Sequence, residues 1–350
     1  MNNSMNDSLI LVPVTPEQQY EADLHTFDSW GAPHLTLEKY IERENCLRAT
    51  KFAQETLTGY VLVPRTDPKT KDILAYVEVF RRPSVLFPDN ASGIIHEKGF
   101  SIGSVYTPVK HRKKGYAATM LARVIEVMQA EAKSYIMSNL YSDIGPMYYA
   151  SKGWLVHRSD EALIPVAAVI PPSDLAPCPV IYSVDSYVAL EHVAKASQQS
   201  MEKNLKQGQV YFPLTASCIL WFDARSRFFA AHLRGLTSFP TCHGSYKVDA
   251  RGQVTDQVLW MHDFRGNKLV ILHWSVQPAY TWHFLEIAAK EAAKWNLEKI
   301  MLWNVEVPDA LKQFNGPRDD SLASLMVKKL PEINGNIALE WIGNEKYAWI

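Results

Sequence analysis

A basic turn between a strand and a helix carries the densest chemical signal in the chain. Residues 103–121 read Gly-Ser-Val-Tyr-Thr-Pro-Val-Lys-His-Arg-Lys-Lys-Gly-Tyr-Ala-Ala-Thr-Met-Leu. The β-branched and aromatic run at 101–107 stops at Pro108, which has no N–H to give to a sheet ladder. Apolar residues then recur at Met120, Leu121, Val124, Ile125 and Met128 with helical spacing. Between strand and helix, Arg112, Lys113 and Lys114 lead into Gly115, Tyr116, Ala117 and Ala118, so a residue without a Cβ and then small ones open the helix. Successive backbone N–H groups there lie free at the positive end of the helix dipole, an arrangement that takes an anion, most naturally a pyrophosphate.

A second motif lies close downstream, Leu140-Tyr-Ser-Asp-Ile-Gly-Pro-Met-Tyr-Tyr-Ala-Ser-Lys-Gly-Trp154. Together the two resemble the GNAT acetyltransferases, whose pyrophosphate loop has the form Arg/Gln-x-x-Gly-x-Gly/Ala and whose later motif is a strand end, a turn, a short Tyr-bearing helix and a Gly-aromatic exit. The resemblance implies acetyl-CoA as co-substrate. It implies backbone contacts to the pantetheine and thioester from Val105 to Thr107, and pyrophosphate binding by the loop Arg112, Lys113, Lys114, Gly115, Tyr116, Ala117 and Ala118. Tyr149, four residues before Gly153, is then the general acid toward the CoA thiolate, with its neighbour Tyr148 the alternative. One departure is Lys113, which stands where many such loops have Gly.

The whole chain is similar to the fungal lysine N6-acetyltransferases, a GNAT domain followed by a distinctive carboxy-terminal domain. The matching residues are Val105 to Pro108, Arg112 to Ala118, Leu140 to Asp143, Tyr149 to Trp154, and the ending Asn-Glu-Lys-Tyr-Ala-Trp349. That likeness implies acetylation of the side-chain amine of free L-lysine, a first step of lysine breakdown. Other acceptors (a polyamine, another amino acid, a protein amine) and a non-catalytic acetyl-CoA-binding protein are the rival readings. A lysine amine is protonated at neutral pH, so a carboxylate must act as base, directly or through water. Glu78 is the candidate, because it is the lone charge in the apolar run 74–80 and is costly if buried without a partner. An exposed edge or a contact with Arg81 or Arg82 is the competing account, and Glu97 and Asp143 are the alternative bases.

The elements that must position these groups follow from periodicity. A strand at 9–14, helices at 17–30 and 35–47, a hairpin of strands at 57–63 and 73–80, and a long lid-like loop at 81–98 precede the turn. After it come a strand at 135–141, parallel to 101–107 through a right-handed crossover, and smaller strands at 154–157 and 162–169. The Pro-rich stretch 171–179 ends regular structure, which places an α+β GNAT domain with a mixed central sheet at 1–183 and a second α+β domain at 184–350. In the second part, helices at 186–206, 215–233 and 280–296 and strands at 245–248, 258–262, 269–274 and 299–303 repeat the order of the first. No Arg-x-x-Gly-x-Ala turn lies between Trp274 and Trp282, so this is read as a degenerate GNAT-like domain without an acetyl-CoA site, serving structure or acceptor binding. The aromatic end, residues 341–350, is expected to dock.

Composition bounds the partners. The chain has 350 residues, 47% hydrophobic and 21% charged, with a net charge of −1, which argues against nucleic-acid or membrane-surface binding. Cys46, Cys178, Cys218 and Cys242 form no Cys-x-x-Cys pair, so reduced thiols and no metal site are expected. The polar first eight residues and the lack of an apolar run of membrane length point to a soluble cytoplasmic protein. In that setting Asn90-Ala-Ser92 is a chance glycosylation sequon, and the ending Ala-Trp-Ile is no peroxisomal address.

Overall fold

The computed structural model describes residues 8–89, 91–331 and 335–350, so the sequon's Asn90 and the first seven residues lie outside the described residues. The first part opens with β1 (Leu9–Pro13) and the helix Pro16–Trp30, whose start is fixed by a capping box between Thr15 and Gln18. The helix Leu37–Arg48 and a short helix, Lys51–Thr56, follow, each capped by a threonine side chain. The antiparallel β2 (Leu57–Pro64), β3 (Ala75–Phe87) and β4 (Ile95–Tyr106) then lead through the basic turn into the helix Tyr116–Glu131. β5 (Tyr135–Ser142) returns parallel to β4, as the crossover rule requires. The one-turn helix Met147–Ala150, β6 (Leu155–Val156), β7 (Asp160–Pro165) and β8 (Tyr182–Ser183) complete this part.

The second part repeats the scheme. The helix Tyr187–Asn204, β9 (Gln209–Tyr211) and the helix Ala216–Arg234 precede an antiparallel run of β10 (Gly244–Val248), β11 (Val254–Asp263) and β12 (Lys268–Ser275). The helix Thr281–Lys294 crosses over to β13 (Lys299–Trp303), parallel to β12. The turn before that helix is a 3-10 turn, Pro278–Tyr280, with no glycine. β14 (Asn315–Pro317), β15 (Leu322–Lys329) and β16 (Glu340–Trp341) follow.

The expected division at residue 183 does not coincide with the division between sheets, because the two parts exchange strands. β15 inserts between β5 and β6 in the first sheet, with a continuous register from Leu322 opposite Ser142 to Lys329 opposite Tyr135. Reciprocally, β7 pairs with β13 and β14 in the second sheet, and β8 pairs with β10. The run at 162–169, assigned from sequence to the first domain, therefore belongs by its hydrogen bonds to the second sheet. Packing follows pairing: one apolar cluster joins Phe80, Leu86 and Met137 to Trp221, Trp303, Leu325 and Tyr347.

The supposed lid at 81–98 is largely a β-hairpin extension. β3 runs on to Phe87 because Val85, Leu86 and Phe87 find a further partner in β9, a contact that local periodicity cannot show. Arg82, only 2% exposed, is held by the carbonyls of Tyr347 and Ala348. The carboxy-terminal stretch is docked as expected, with Tyr347 fully buried and its hydroxyl donating to the Phe212 carbonyl at 2.9 Å. Residues 1–183 expressed alone lack β15 and leave the edge of the almost wholly buried β5 open. That fragment is expected to aggregate or to unfold without a cooperative urea transition. A soluble monomer with a sharp transition would show that the exchanged strand is dispensable.

Candidate active site

The β4–β5 ladder fixes the position of the site. Its parallel pairing runs from Gly99–Met137 to Ile102–Leu140 and stops, although β4 continues to Tyr106 and β5 to Ser142. On its other side, β4 pairs with β3 through a bulge, since Tyr76 faces Tyr106 while Glu78 faces Gly103, leaving one extra residue on β4. Ser104 sits in this bulge at φ 52°. Unpaired backbone of the bulged strand thus faces the gap where the two strands part. A cavity of about 820 Å³ occupies that gap, and Gly103, Val105, Thr107, Leu140 and Tyr149 are in its wall.

The basic turn forms one end of the cavity, contributed by Arg112, Lys113, Gly115, Tyr116, Ala117 and Ala118. Lys113 (φ 64°) and Gly115 (φ 82°) both take the left-handed conformation, which explains why a glycine at the lysine position is a natural alternative. The first bond of the following helix runs from Thr119 N–H to the Gly115 carbonyl, so the N–H groups of Tyr116, Ala117 and Ala118 have no acceptor within the helix. A left-handed turn ahead of free helix-terminal N–H groups is a concave donor set for an anion. Thr107 Oγ1, buried and without a protein partner, is a further unsatisfied polar atom in this wall. The residues present therefore suit a pyrophosphate followed by a polar arm. The Arg112 side chain is engaged elsewhere: Nε donates to the Thr107 carbonyl at 3.1 Å and the guanidinium lies over the Tyr106 ring. It ties down the strand exit, and the backbone is left as the anion donor.

Tyr149 and Tyr148 both line the cavity, with ring centroids 5.1 Å apart in an edge-to-face contact. Tyr149 is the more buried, at 8% exposure, and its hydroxyl has no protein partner among the described residues. Burial raises the pKa of both phenols, with the neighbouring Tyr148 and the Asp143 charge adding to the effect on Tyr149. A tyrosine kept protonated with a free hydroxyl is arranged to donate a proton.

Glu78 also lines the cavity, and neither arginine beside it in sequence is its partner. Arg81 pairs with Glu131 at 2.6 Å, and Arg82 is occupied by backbone carbonyls. The carboxylate instead accepts from Tyr76 Oη at 2.8 Å and Ser104 Oγ at 2.7 Å. Loss of water raises its pKa, and the Glu44 charge pushes the same way. The two alternative bases are differently employed. Glu97 accepts the backbone N–H groups of Lys133, Ser134 and Tyr135, at 2.7 Å for Ser134, and is absent from the cavity wall. Asp143 is in the wall but is exposed and holds Ser321 N–H at 2.9 Å.

Periodicity alone missed the other end of the cavity. Trp30, Arg43 and Glu44 come from the first two helices, Trp221 and Arg225 from the helix Ala216–Arg234, Arg265 from the turn after β11, and Trp349 and Ile350 from the docked terminus. A signal existed for one of them. Arg225 lies four residues after Trp221 and four before Phe229, so a cation interrupts the aromatic stripe of that helix. The second part's histidines make individual hydrogen bonds, His262 to Glu291 and His273 to Glu345. Among the described residues no group of three or more metal-ligating side chains converges.

The comparisons with known proteins agree with this geometry. Residues 185–350 match the family model described as the LYC1 GNAT-like C-terminal domain. The chain is 22% identical to a lysine acetyltransferase of Yarrowia lipolytica over 385 aligned positions, covering 91% of this chain and 94% of that one. A GCN5-related N-acetyltransferase from Kribbella flavida superposes with a TM-score of 0.56 at 13% identity, over 94% of this chain and 73% of that one. A probable N-acyltransferase from Enterococcus faecalis does so with a TM-score of 0.55 at 10% identity, over 91% and 72%. The structural likenesses speak to the fold. With the family match and the curated relative beside them, they show residues 185–350 to be a GNAT-like C-terminal domain of the LYC1 type, in a chain that is similar over nearly its whole length to acetyltransferases.

Proposed function

We propose that the protein transfers the acetyl group of acetyl-CoA to the side-chain amine of free L-lysine, in the cytoplasm and at the start of lysine breakdown, with one acetyl-CoA site in the first half. The observation that carries this reading is a single cavity that joins the open N-terminus of the helix Tyr116–Glu131 to a polar end containing Glu78 and Glu44, with Tyr149 in its wall. The name of the Yarrowia relative supports lysine as the acceptor.

Acetyl-CoA, when bound, supplies the acetyl group as a thioester. The backbone N–H groups from Lys113 to Ala118 hold the pyrophosphate, and unpaired β4 backbone around Val105, with Thr107, holds the pantetheine and polarises the thioester carbonyl. Ionised Glu78 takes a proton from the acceptor ammonium, directly or through water, which frees the amine's electron pair to form the new C–N bond. Tyr149 gives its phenolic proton to the sulfur as the C–S bond breaks, and the second proton, shed by the acetylated nitrogen, restores the phenol through solvent. The raised pKa of Glu78 improves it as a base, and the raised pKa of Tyr149 keeps it protonated until the thiolate leaves.

Three outcomes test this reading. Gly115→Glu introduces a negative side chain at a left-handed position that opens on the anion site, so calorimetry should show acetyl-CoA binding abolished, whereas Arg112→Ala should weaken it far less. Unaltered affinity in the glycine variant would remove the turn from the reading. Tyr149→Phe should lower kcat by about 100-fold or more with acetyl-CoA affinity retained. If Tyr148→Phe gives that pattern in its place, the proton donor is the neighbouring residue.

The third outcome is a pH dependence. The folded-state pKa of Glu78 is raised, so folding disfavours its charged form: stability is fully present below the unfolded pKa and is lost as pH rises through the folded one. Glu78→Gln lacks that loss, so its melting temperature should gain on the parent as pH rises from 4 to 8, while kcat falls. A melting difference that is constant across this range would show that Glu78 is not held out of water.

A further inference from the structure

The acceptor end of the cavity has the carboxylates of Glu44, Glu78 and the terminal Ile350 in its wall, and two of its three arginines pair with none of them. Arg43 is matched: its guanidinium binds the Glu44 carboxylate and donates to the Trp30 carbonyl at 3.2 Å. Arg225 and Arg265 also line the cavity, yet neither forms an ion pair or a hydrogen bond among the described residues. Asp263, whose charge acts on both, accepts the Gly266 N–H at 2.9 Å. The Arg225 guanidinium carbon lies 5.7 Å from the Phe229 ring centroid and 5.5 Å from that of Trp349, contacts that steady it and leave its N–H donors without acceptors.

Keeping two half-buried cations in one cavity wall has a cost that an anion joining them would offset. Burial first, and then Arg43, lowers the pKa of each, that of Arg225 to about 10, so both remain cationic at neutral pH and would gain from a negative partner. The pyrophosphate turn does not need them, since it lies beyond the end of β4. Arg225 instead feels Glu44 and touches Trp349, the neighbour of Ile350, whose side chain lies 3.6 Å from where a Cβ on Gly103 would be. Gly103 is the strand partner of Glu78, so the unpaired arginines belong with the proposed base.

We propose that Arg225 and Arg265, supplied by the second half of the chain, bind a carboxylate on the acceptor and so restrict the reaction to amines that carry one. The proposal rests on the acetyl-transfer reading and adds to it the groups that choose the substrate. An acceptor with an amine at one end and a carboxylate at the other spans from Glu78 to the arginines, whereas a diamine leaves both guanidiniums unmatched and adds a positive charge beside them. A planar guanidinium offers paired donors to a carboxylate, so an ammonium is an incomplete replacement.

The test uses the full chain with L-lysine, L-lysinamide and cadaverine, acetyl-CoA being saturating. The parent is expected to favour L-lysine over either carboxylate-free amine by about 100-fold in kcat/KM. In Arg225→Gln and Arg265→Gln that ratio should fall toward unity through a rise in the KM for lysine, with partial recovery in Arg225→Lys. The glutamine variants should also melt no lower than the parent, because an unmatched, half-buried charge has been removed. Retained acetyl-CoA binding shows that a variant is folded. An unchanged lysine-to-cadaverine ratio in both variants overturns the arginine assignment and leaves acetyl transfer standing. Should the parent acetylate none of the three, calorimetric titration with L-lysine and with cadaverine reads the same preference without turnover. Arginine-dependent binding of lysine would then keep the carboxylate site and sink the proposed reaction, and no preference for lysine would sink both.

Discussion

Two neighbouring parallel strands that stop pairing while both continue are the constraint on which the rest of the structure depends. Past Ile102–Leu140 the backbone of β4 and β5 has lost its ladder, and polar backbone left without partners is expensive. The bulge at Ser104 brings its hydroxyl to Glu78, which places that half-buried carboxylate beside the gap. The same separation sends the chain from Tyr106 into the turn whose left-handed residues expose the helix N-terminus. Anion site, open backbone and carboxylate are therefore consequences of one irregularity in one sheet.

What was legible in the sequence is what local chemistry fixes. Gly115 before Tyr116 and the small Ala117 and Ala118 define a helix start, and Pro108, which has no N–H for a ladder, closes the strand ahead of them, although Pro83 shows that a proline can also sit within a strand. Glu78 stood out because a single charge in an apolar run must be accounted for, although its partners, Tyr76 and Ser104, could be known only once β3 and β4 were in register. Tyr148 and Tyr149 could not be separated from sequence because a one-turn helix has too few residues to define a face. In the structure both reach the cavity, Tyr149 being the more buried.

The rest was illegible because its cause lies far along the chain. The stretch at 81–87 extends as strand through β9, more than a hundred residues later, and Arg82 is buried because backbone carbonyls near the terminus receive it. Leu322–Lys329 is an unremarked apolar run until β5 is seen beside it. Arg225 and Arg265 come together only when the helix Ala216–Arg234 packs on β11, and of the two only Arg225, a cation in an aromatic stripe, stands out in the sequence. The second half lacks the glycine turn and still contributes five residues at one end of the cavity wall, so its kinship to the first lies in element order and its contribution lies in side chains.

The exchanged strands also carry a consequence for how the protein is made. β5 leaves the ribosome roughly 180 residues ahead of β15, which at ordinary elongation rates is a wait of about 10 to 40 s. Throughout it the exposed edge of one of the most deeply buried strands has no neighbour. On the face that carries Phe80, Leu86 and Met137, the packing partners Trp221, Leu325 and Tyr347 also come later. Synthesis here is a race between translation and aggregation, and the nascent chain is a natural client for a chaperone that binds extended apolar segments.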